Sequence, residues 1–163
     1  ECMWREFWQI NIRNKQAEAE HQQGGNKMSE KTQKALDNHH KGYNCAQSVA
    51  CAFAPELGMD EKEIFRMMEG FGFGMGCMEV CGAVSGMTAV AGMKESDGNL
   101  DKPATKKISY KASKAMVDEF KNKVGTVICK DIKGVETGKV LLSCDGCVEL
   151  AAEIAEKYRK GEM

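Results

Sequence analysis

The sequence predicts an all-α fold: a compact single-domain helical bundle of five or six helices. Three observations lead there. Apolar residues recur at helical spacing in several segments, the longest stripe being Ile108, Ala112, Ala115, Met116 and Phe120. Capping residues stand where those segments begin, among them Ser29, Asn44, Asp60 and Asp101. No segment alternates apolar and polar residues long enough for a robust strand. At 163 residues the chain can bury the core of one ordinary domain.

The elements follow in order. Residues 1–27 read as an N-terminal extension upstream of the native start, with a Trp4, Phe7 and Trp8 cluster and then a polar run. Met28 opens a credible start, so 28–163 is the cysteine-rich helical domain, and Cys2 stays outside any site. A helix over 29–41 is capped by Ser29 and turns Ala35 and Leu36 inward. His39 and His40 end it, where the helix dipole favours them. Gly42 stops that helix and Asn44 caps the next, whose inner face holds Cys45, Val49 and Phe53. Cys45 falls in a first turn, where backbone donors are expected to lower a thiol pKa. Pro55 and Gly58 close the segment. Asp60 caps 61–69, with Glu63 completing a capping box and Ile64, Phe65 and Met68 facing the core.

Then comes a glycine-rich stretch, 70–92. Gly70, Gly72, Gly74 and Gly76 alternate with Phe71, Phe73 and Met75, which suggests turns or close backbone approach. No Gly-Lys-Ser/Thr follows, so it is not a phosphate-binding loop of that type. From Cys81 onward the residues are small and helical, and Gly82, Gly86 and Val90 form one close-packing face. The longest helix is expected over 101–123, capped by Asp101 with Pro103 in its first turn and Gly125 as its stop. A short piece, 126–128, leads to Cys129, and 131–139 is a turn region. Ser143 or Asp145 starts the last helix, with Cys144, Cys147, Val148, Ala151, Ala155 and Tyr158 on one face.

Composition narrows the function. A net charge of −1 gives no pull toward nucleic acid or anionic membrane. No stretch approaches a membrane span and 1–21 lacks the pattern of a secretory signal, so a cytoplasmic location is expected. Eight cysteines in such a chain point to thiols used for metal or redox work. Cys77 and Cys81 are four apart, and Cys144 and Cys147 form C-x-x-C, spacings that suit zinc or iron–sulfur ligation. The same C-x-x-C suits dithiol redox chemistry, although no thioredoxin-like strand pattern surrounds it. Three histidines, two adjacent, offer little for general acid–base work.

Asn44-Cys45-Ala46-Gln47, the FGFGMG run, Cys81-Gly82-Ala83-Val84-Ser85-Gly86, Ile128-Cys129-Lys130 and Cys144 before Val148-Ala151-Ala152 resemble the C-GCAxxG-C-C family of redox-active proteins. They are also similar to the carboxy-terminal iron–sulfur domain of split-Soret cytochrome c. The resemblance covers roughly residues 31–158. It implies that Cys45, Cys81, Cys129 and Cys144 bind the cofactor, an iron–sulfur cluster of the 2Fe–2S type, with Cys77 and Cys147 as substitutes or a redox relay. Zinc is the alternative metal. It further implies an anaerobe, an electron-transfer role with a redox partner protein, and a homodimer, to which Met67, Met78 and Met87 could contribute. Two other functions compete: a thiol–disulfide redox protein using Cys144/Cys147 or Cys77/Cys81, and a structural or regulatory zinc-binding helical domain without turnover.

Overall fold

The computed structural model describes residues 28–163. The extension, its aromatic cluster and Cys2 lie outside the described residues. Among the described residues there are eight α-helices and no strand. They are α1 (Glu30–His40), α2 (Cys45–Ala52), α3 (Ala54–Leu57), α4 (Glu61–Met68), α5 (Gly82–Glu95), α6 (Lys106–Val124), α7 (Cys129–Ile132) and α8 (Cys144–Lys160). Six of them exceed a single turn, matching the expected five or six; α3 and α7 are the additions. A 3₁₀ turn, Glu69–Phe71, and a π-type turn, Gly74–Met78, lie between α4 and α5. Among the described residues no helix is long and apolar enough to cross a membrane.

Local chemistry explains most helix starts. The Ser29 hydroxyl accepts from the Thr32 N–H at 3.1 Å. Asn44 accepts from the Gln47 N–H at 2.9 Å, and the Gln47 side chain accepts from the Asn44 N–H at 2.9 Å. This reciprocal box satisfies two orphan donors at the start of α2. Asp60 caps α4 through the Lys62 N–H, but Glu63 does not complete a box there; it faces Arg66 at 3.7 Å. Ser143, not Asp145, caps α8, accepting from the Gly146 N–H at 2.9 Å. Gly58 and Gly125 end α3 and α6 in the left-handed conformation.

Three expectations need correction. The longest helix starts at Lys106, not at Asp101. The Asn99 side chain accepts from the N–H groups of Asp101 and Lys102, at 3.1 and 3.0 Å, and so offers this backbone a turn in place of a helix. Ala112, Met116 and Phe120 are buried as expected, but Ile108 is 54% exposed and Ala115 is exposed too. Met87, expected at a contact surface, is fully buried.

The core is built around α5, which packs on α2, α6 and α8; α1 bridges α2 and α8. Ala83, Val84, Met87, Val90 and Ala91 of α5 meet Val49 and Phe53 of α2, Met116 and Phe120 of α6, and Val148, Ala151 and Ala155 of α8. Ile64 heads a smaller cluster with Ala50, Cys51 and Ala54, against which Phe65 and Met68 pack. The α2–α5 approach is close because α5 presents glycine. A Cβ at Gly86 would lie 2.6 Å from the Ala46 carbonyl oxygen. The close-packing face expected at Gly82 and Gly86 is therefore where α2 and α5 meet.

Candidate functional site

Four of the helices begin with a cysteine at or beside the first residue. Cys45 opens α2, Cys129 opens α7, Cys144 opens α8, and Cys81 immediately precedes α5. Cys81 and Cys129 are joined by a short antiparallel bridge, Val80 to Ile128. The Cys81 N–H donates to the Val127 carbonyl at 2.8 Å, and the Cys129 N–H donates to the Glu79 carbonyl at 2.6 Å. The π-type turn presses on the same place. Gly74 has a φ of 57°, and a Cβ there would lie 2.7 Å from the Glu79 nitrogen and 3.1 Å from the Cys129 Cβ. Phe73, Met75 and Met78 in and beside this turn also have positive φ.

The thiols meet as two pairs. Cys45 pairs with Cys144, and Cys81 pairs with Cys147, each through a hydrogen bond between the two sulfurs. The pairs feel each other: charge on Cys144 raises Cys45, Cys81, Cys129 and Cys147. Within each pair one sulfur is lowered and the other raised. Cys144 is pulled down to about 5, first by the Cys45 hydrogen bond and then by the Lys133 ammonium, against the cost of burial. Cys81 is lowered by Cys147 and by the backbone N–H groups of Ala83 and Val84 at the start of α5. Cys45 and Cys147 are pushed well above the ordinary thiol range, because each donates to a neighbouring thiolate and is buried. The expected lowering at Cys45 is thus reversed. Its first-turn position is outweighed by the adjacent charge on Cys144.

Cys129 stands beside the pairs, buried, its thiol pushed up to about 12 by burial. Of the six expected site residues, Cys45, Cys81, Cys129, Cys144 and Cys147 come together. Cys77 does not join the pairs: it is exposed, its Sγ directed to the Gly74 carbonyl at 3.4 Å. Cys51 lies apart against the Glu61 carbonyl at 3.7 Å, its thiol raised to about 12 by burial.

Four polar residues complete the site, and local sequence signals none of them as such. Lys133 is buried and its Nζ donates to the Cys144 Sγ at 2.8 Å. Burial works against its charge, but Cys144, Cys129 and Cys45 more than offset this, and its pKa is raised. His39 and His40 both reach Asp145, which sits inside the C-x-x-C. His39 Nδ1 bonds one carboxylate oxygen, and His40 Nε2 bonds the other at 3.0 Å. The other ring nitrogen of His39 lies 3.8 Å from the Cys45 Sγ. Asp145 is held below the usual carboxylate range, first by His39 and then by His40. His39 is raised because Asp145 outweighs the burial that opposes its charge. The two histidines therefore do more than complement a helix dipole.

Among the described residues, no group of three or more His, Cys, Asp or Glu side chains is disposed to hold a metal ion. A single tetrahedral ion needs four donors around one point. A binuclear iron–sulfur cluster asks for something else: four thiolates in all, two on each iron. The donor chemistry and the pairing fit that demand.

Comparison with known proteins adds a family. The family model described as "Putative redox-active protein (C_GCAxxG_C_C)" matches residues 43–158. No curated protein and no solved structure matches. The matched region takes in all five gathered cysteines, Lys133 and Asp145, and begins after α1, so His39 and His40 fall outside it. The match covers most of the chain, which therefore belongs to the C-GCAxxG-C-C family of redox-active proteins.

Proposed function

We propose that this protein is a one-electron carrier whose cysteines hold a 2Fe–2S cluster. The observation that carries the reading is the two-and-two arrangement: Cys45 with Cys144, and Cys81 with Cys147. Each pair would serve one iron. Cys129 is the neighbouring thiol that the resemblance ranks among the ligands, and it substitutes if Cys147 is lost. When bound, the cluster supplies a centre that takes up and releases one electron without breaking a bond to the protein. The chain's own groups supply the surroundings. Apolar packing around α5 limits water, and the amides of Ala83 and Val84 with the Lys133 ammonium compensate thiolate charge. The electron comes from, and goes to, another one-electron carrier protein, and the split-Soret resemblance suggests that the working form is a homodimer.

The test is anaerobic reconstitution with iron and sulfide, followed by metal and acid-labile sulfide analysis and electron paramagnetic resonance of the reduced protein. Two irons and two sulfides per chain are expected, falling sharply in Cys45→Ser, Cys81→Ser and Cys144→Ser. Full iron and sulfide in those variants would refute the assignment. Zinc without sulfide would favour the structural zinc domain instead.

A second reading rests on the contact between Lys133 and Cys144. A thiolate beside a buried ammonium, with the Cys45 thiol next to it, is the arrangement of an attacking cysteine and its resolving partner. In this reading Cys144 attacks a disulfide of a partner, forming a mixed disulfide and releasing one thiolate. Cys45, giving up its proton, then attacks Cys144, releasing the second thiolate and leaving a Cys45–Cys144 disulfide. A metal-free protein with a reversible two-electron couple, lost in Cys45→Ser, would select it.

A further inference from the structure

We infer that Lys133 is the positioning residue that sets the reduction potential of the centre; this rests on the cluster reading above. Among the described residues, Lys133 is the only charged side chain that is buried. Its Nζ lies 2.8 Å from the Cys144 Sγ. The backbone fixes it there. Lys133 follows α7 directly, its N–H donating to the Cys129 carbonyl at 3.0 Å, and the next residue, Gly134, turns the chain at a φ of 66°. That turn is tight, since a Cβ on Gly134 would lie 2.1 Å from the Lys139 carbonyl oxygen. The Leu141 N–H donates to the Ile132 carbonyl at 2.8 Å and closes the loop behind the lysine. A buried cation with this little freedom is costly unless a buried negative charge stands opposite it. Here that charge is sulfur.

The consequence for redox chemistry follows from charge alone. Taking up one electron adds one negative charge to the centre, with no proton and no bond change. A fixed positive charge in low-dielectric surroundings stabilises the more negative state more, and so raises the potential. Its removal favours the oxidised form. The reductant in the test is dithionite, and the oxidant is the centre itself.

The experiment compares wild type, Lys133→Met and Lys133→Arg after anaerobic reconstitution, with iron and sulfide measured first and the potential then read in a mediated dithionite titration. Lys133→Met is expected to shift the oxidised-to-reduced ratio at fixed poise at least tenfold toward oxidised, about 59 mV more negative for one electron. Lys133→Arg is expected to stay near wild type. Equal potentials in wild type and Lys133→Met overturn the inference while leaving the cluster reading intact. If wild type takes up no cluster, the cluster reading fails. The lysine is then judged on metal-free reduced protein by the rate at which iodoacetamide alkylates Cys144, followed by mass spectrometry. The same measurement decides if Lys133→Met alone fails to load iron. At least a tenfold slower alkylation in Lys133→Met supports the charge role at Cys144, and an unchanged rate overturns it. If neither Lys133→Met nor Lys133→Gln folds while Lys133→Arg does, the lysine is a structural cation and the inference is overturned.

Discussion

Gly86→Ala should destabilise the protein, although alanine is the better helix former. In an isolated helix the change would gain about 1 kcal/mol. Here the new Cβ would sit 2.6 Å from the Ala46 carbonyl oxygen and 3.1 Å from the Val49 Cβ. The nearer neighbour is backbone inside α2, so no side-chain rotation can relieve it. The helices must move apart by several tenths of an ångström, and the Val49–Val84–Met87 packing beside them loses part of its dispersion energy. Overpacking of this kind costs about 1–3 kcal/mol, and with backbone as the obstacle the upper half of that range applies. After the propensity gain, a cost of about 2–3 kcal/mol leaves a net loss of about 1–2 kcal/mol. Gly92→Ala in the same helix is the control, because nothing lies within 4 Å of its added Cβ. It should gain about 0.5–1 kcal/mol. Urea unfolding of the metal-free, reduced proteins reads both, and opposite shifts of about 0.3–1 M in midpoint are expected at unchanged slope. The two glycines share a helix, so propensity cannot explain a difference in sign. Midpoints that move the same way would show that the α2–α5 approach does not depend on glycine.

The π-type turn and the histidine pair give further tests. Gly74→Ala should cost more than about 1 kcal/mol, because it meets the Glu79 nitrogen and adopts a positive φ, whereas Met75→Gly should be neutral or slightly stabilising at its own positive φ of 59°; urea midpoints distinguish them. Asp145→Asn in the metal-free protein should cost about 1–2 kcal/mol at pH 5–6, the range for a hydrogen bond to a charged partner that is partly exposed. His39 is raised, so its share of stability is present below pH 6.5 and lost as pH rises through its folded value; Asp145 is lowered, so its share is present above its unfolded value of 3.8 and lost as pH falls. The gap between wild type and variant should therefore narrow above neutrality, and a gap that widens with pH would be contrary. Cys51→Ala and Cys77→Ser should leave iron and sulfide content unchanged, since neither thiol belongs to a pair. A chain beginning at Met28 should fold into the same helical core, with the urea midpoint of the full chain.

What was legible in the sequence was mostly local. Ser29, Asn44 and Ser143 cap helices because a side-chain oxygen two or three residues ahead of an orphan N–H needs no tertiary help. Gly82 and Gly86 gave away a close helix contact because their spacing alone puts them on one face. Asp101 misled because Asn99, just upstream, takes the Asp101 and Lys102 N–H groups into a turn of its own. Ile108 and Ala115 misled because periodicity marks a face without saying whether anything covers it; Tyr110, 68% exposed, lies in the same uncovered part of α6. In the site, cysteine spacing and family context pointed to Cys45, Cys81, Cys129 and Cys144, which lie near one another, but not to the pairing of Cys81 with Cys147. Lys133 looked like any lysine in a polar turn, and His39 meets Asp145 across 106 positions, a separation with no local signature.

The pairing also bears on the proposed cluster. Cys45 and Cys144 both open helices, and a helix N-terminus favours negative charge by about 0.3–1 kcal/mol. Yet only Cys144 is lowered while Cys45 is raised. Two thiolates in contact inside a protein repel by more than a helix terminus returns, so the metal-free pair keeps one proton between two sulfurs. In the Cys81 and Cys147 pair the sulfur beside the amides of α5 is likewise the lowered one and its partner the raised one. Each pair thus sets one lowered sulfur against one raised sulfur, with Lys133 facing Cys144 and the Ala83 and Val84 amides facing Cys81. To bring all four to thiolate, something must supply positive charge between the members of each pair at once. One ion placed in one pair would leave the other protonated. The cluster proposed above, with a metal at each pair, would supply that charge to both pairs, and Lys133 would then face the surplus negative charge of the thiolates.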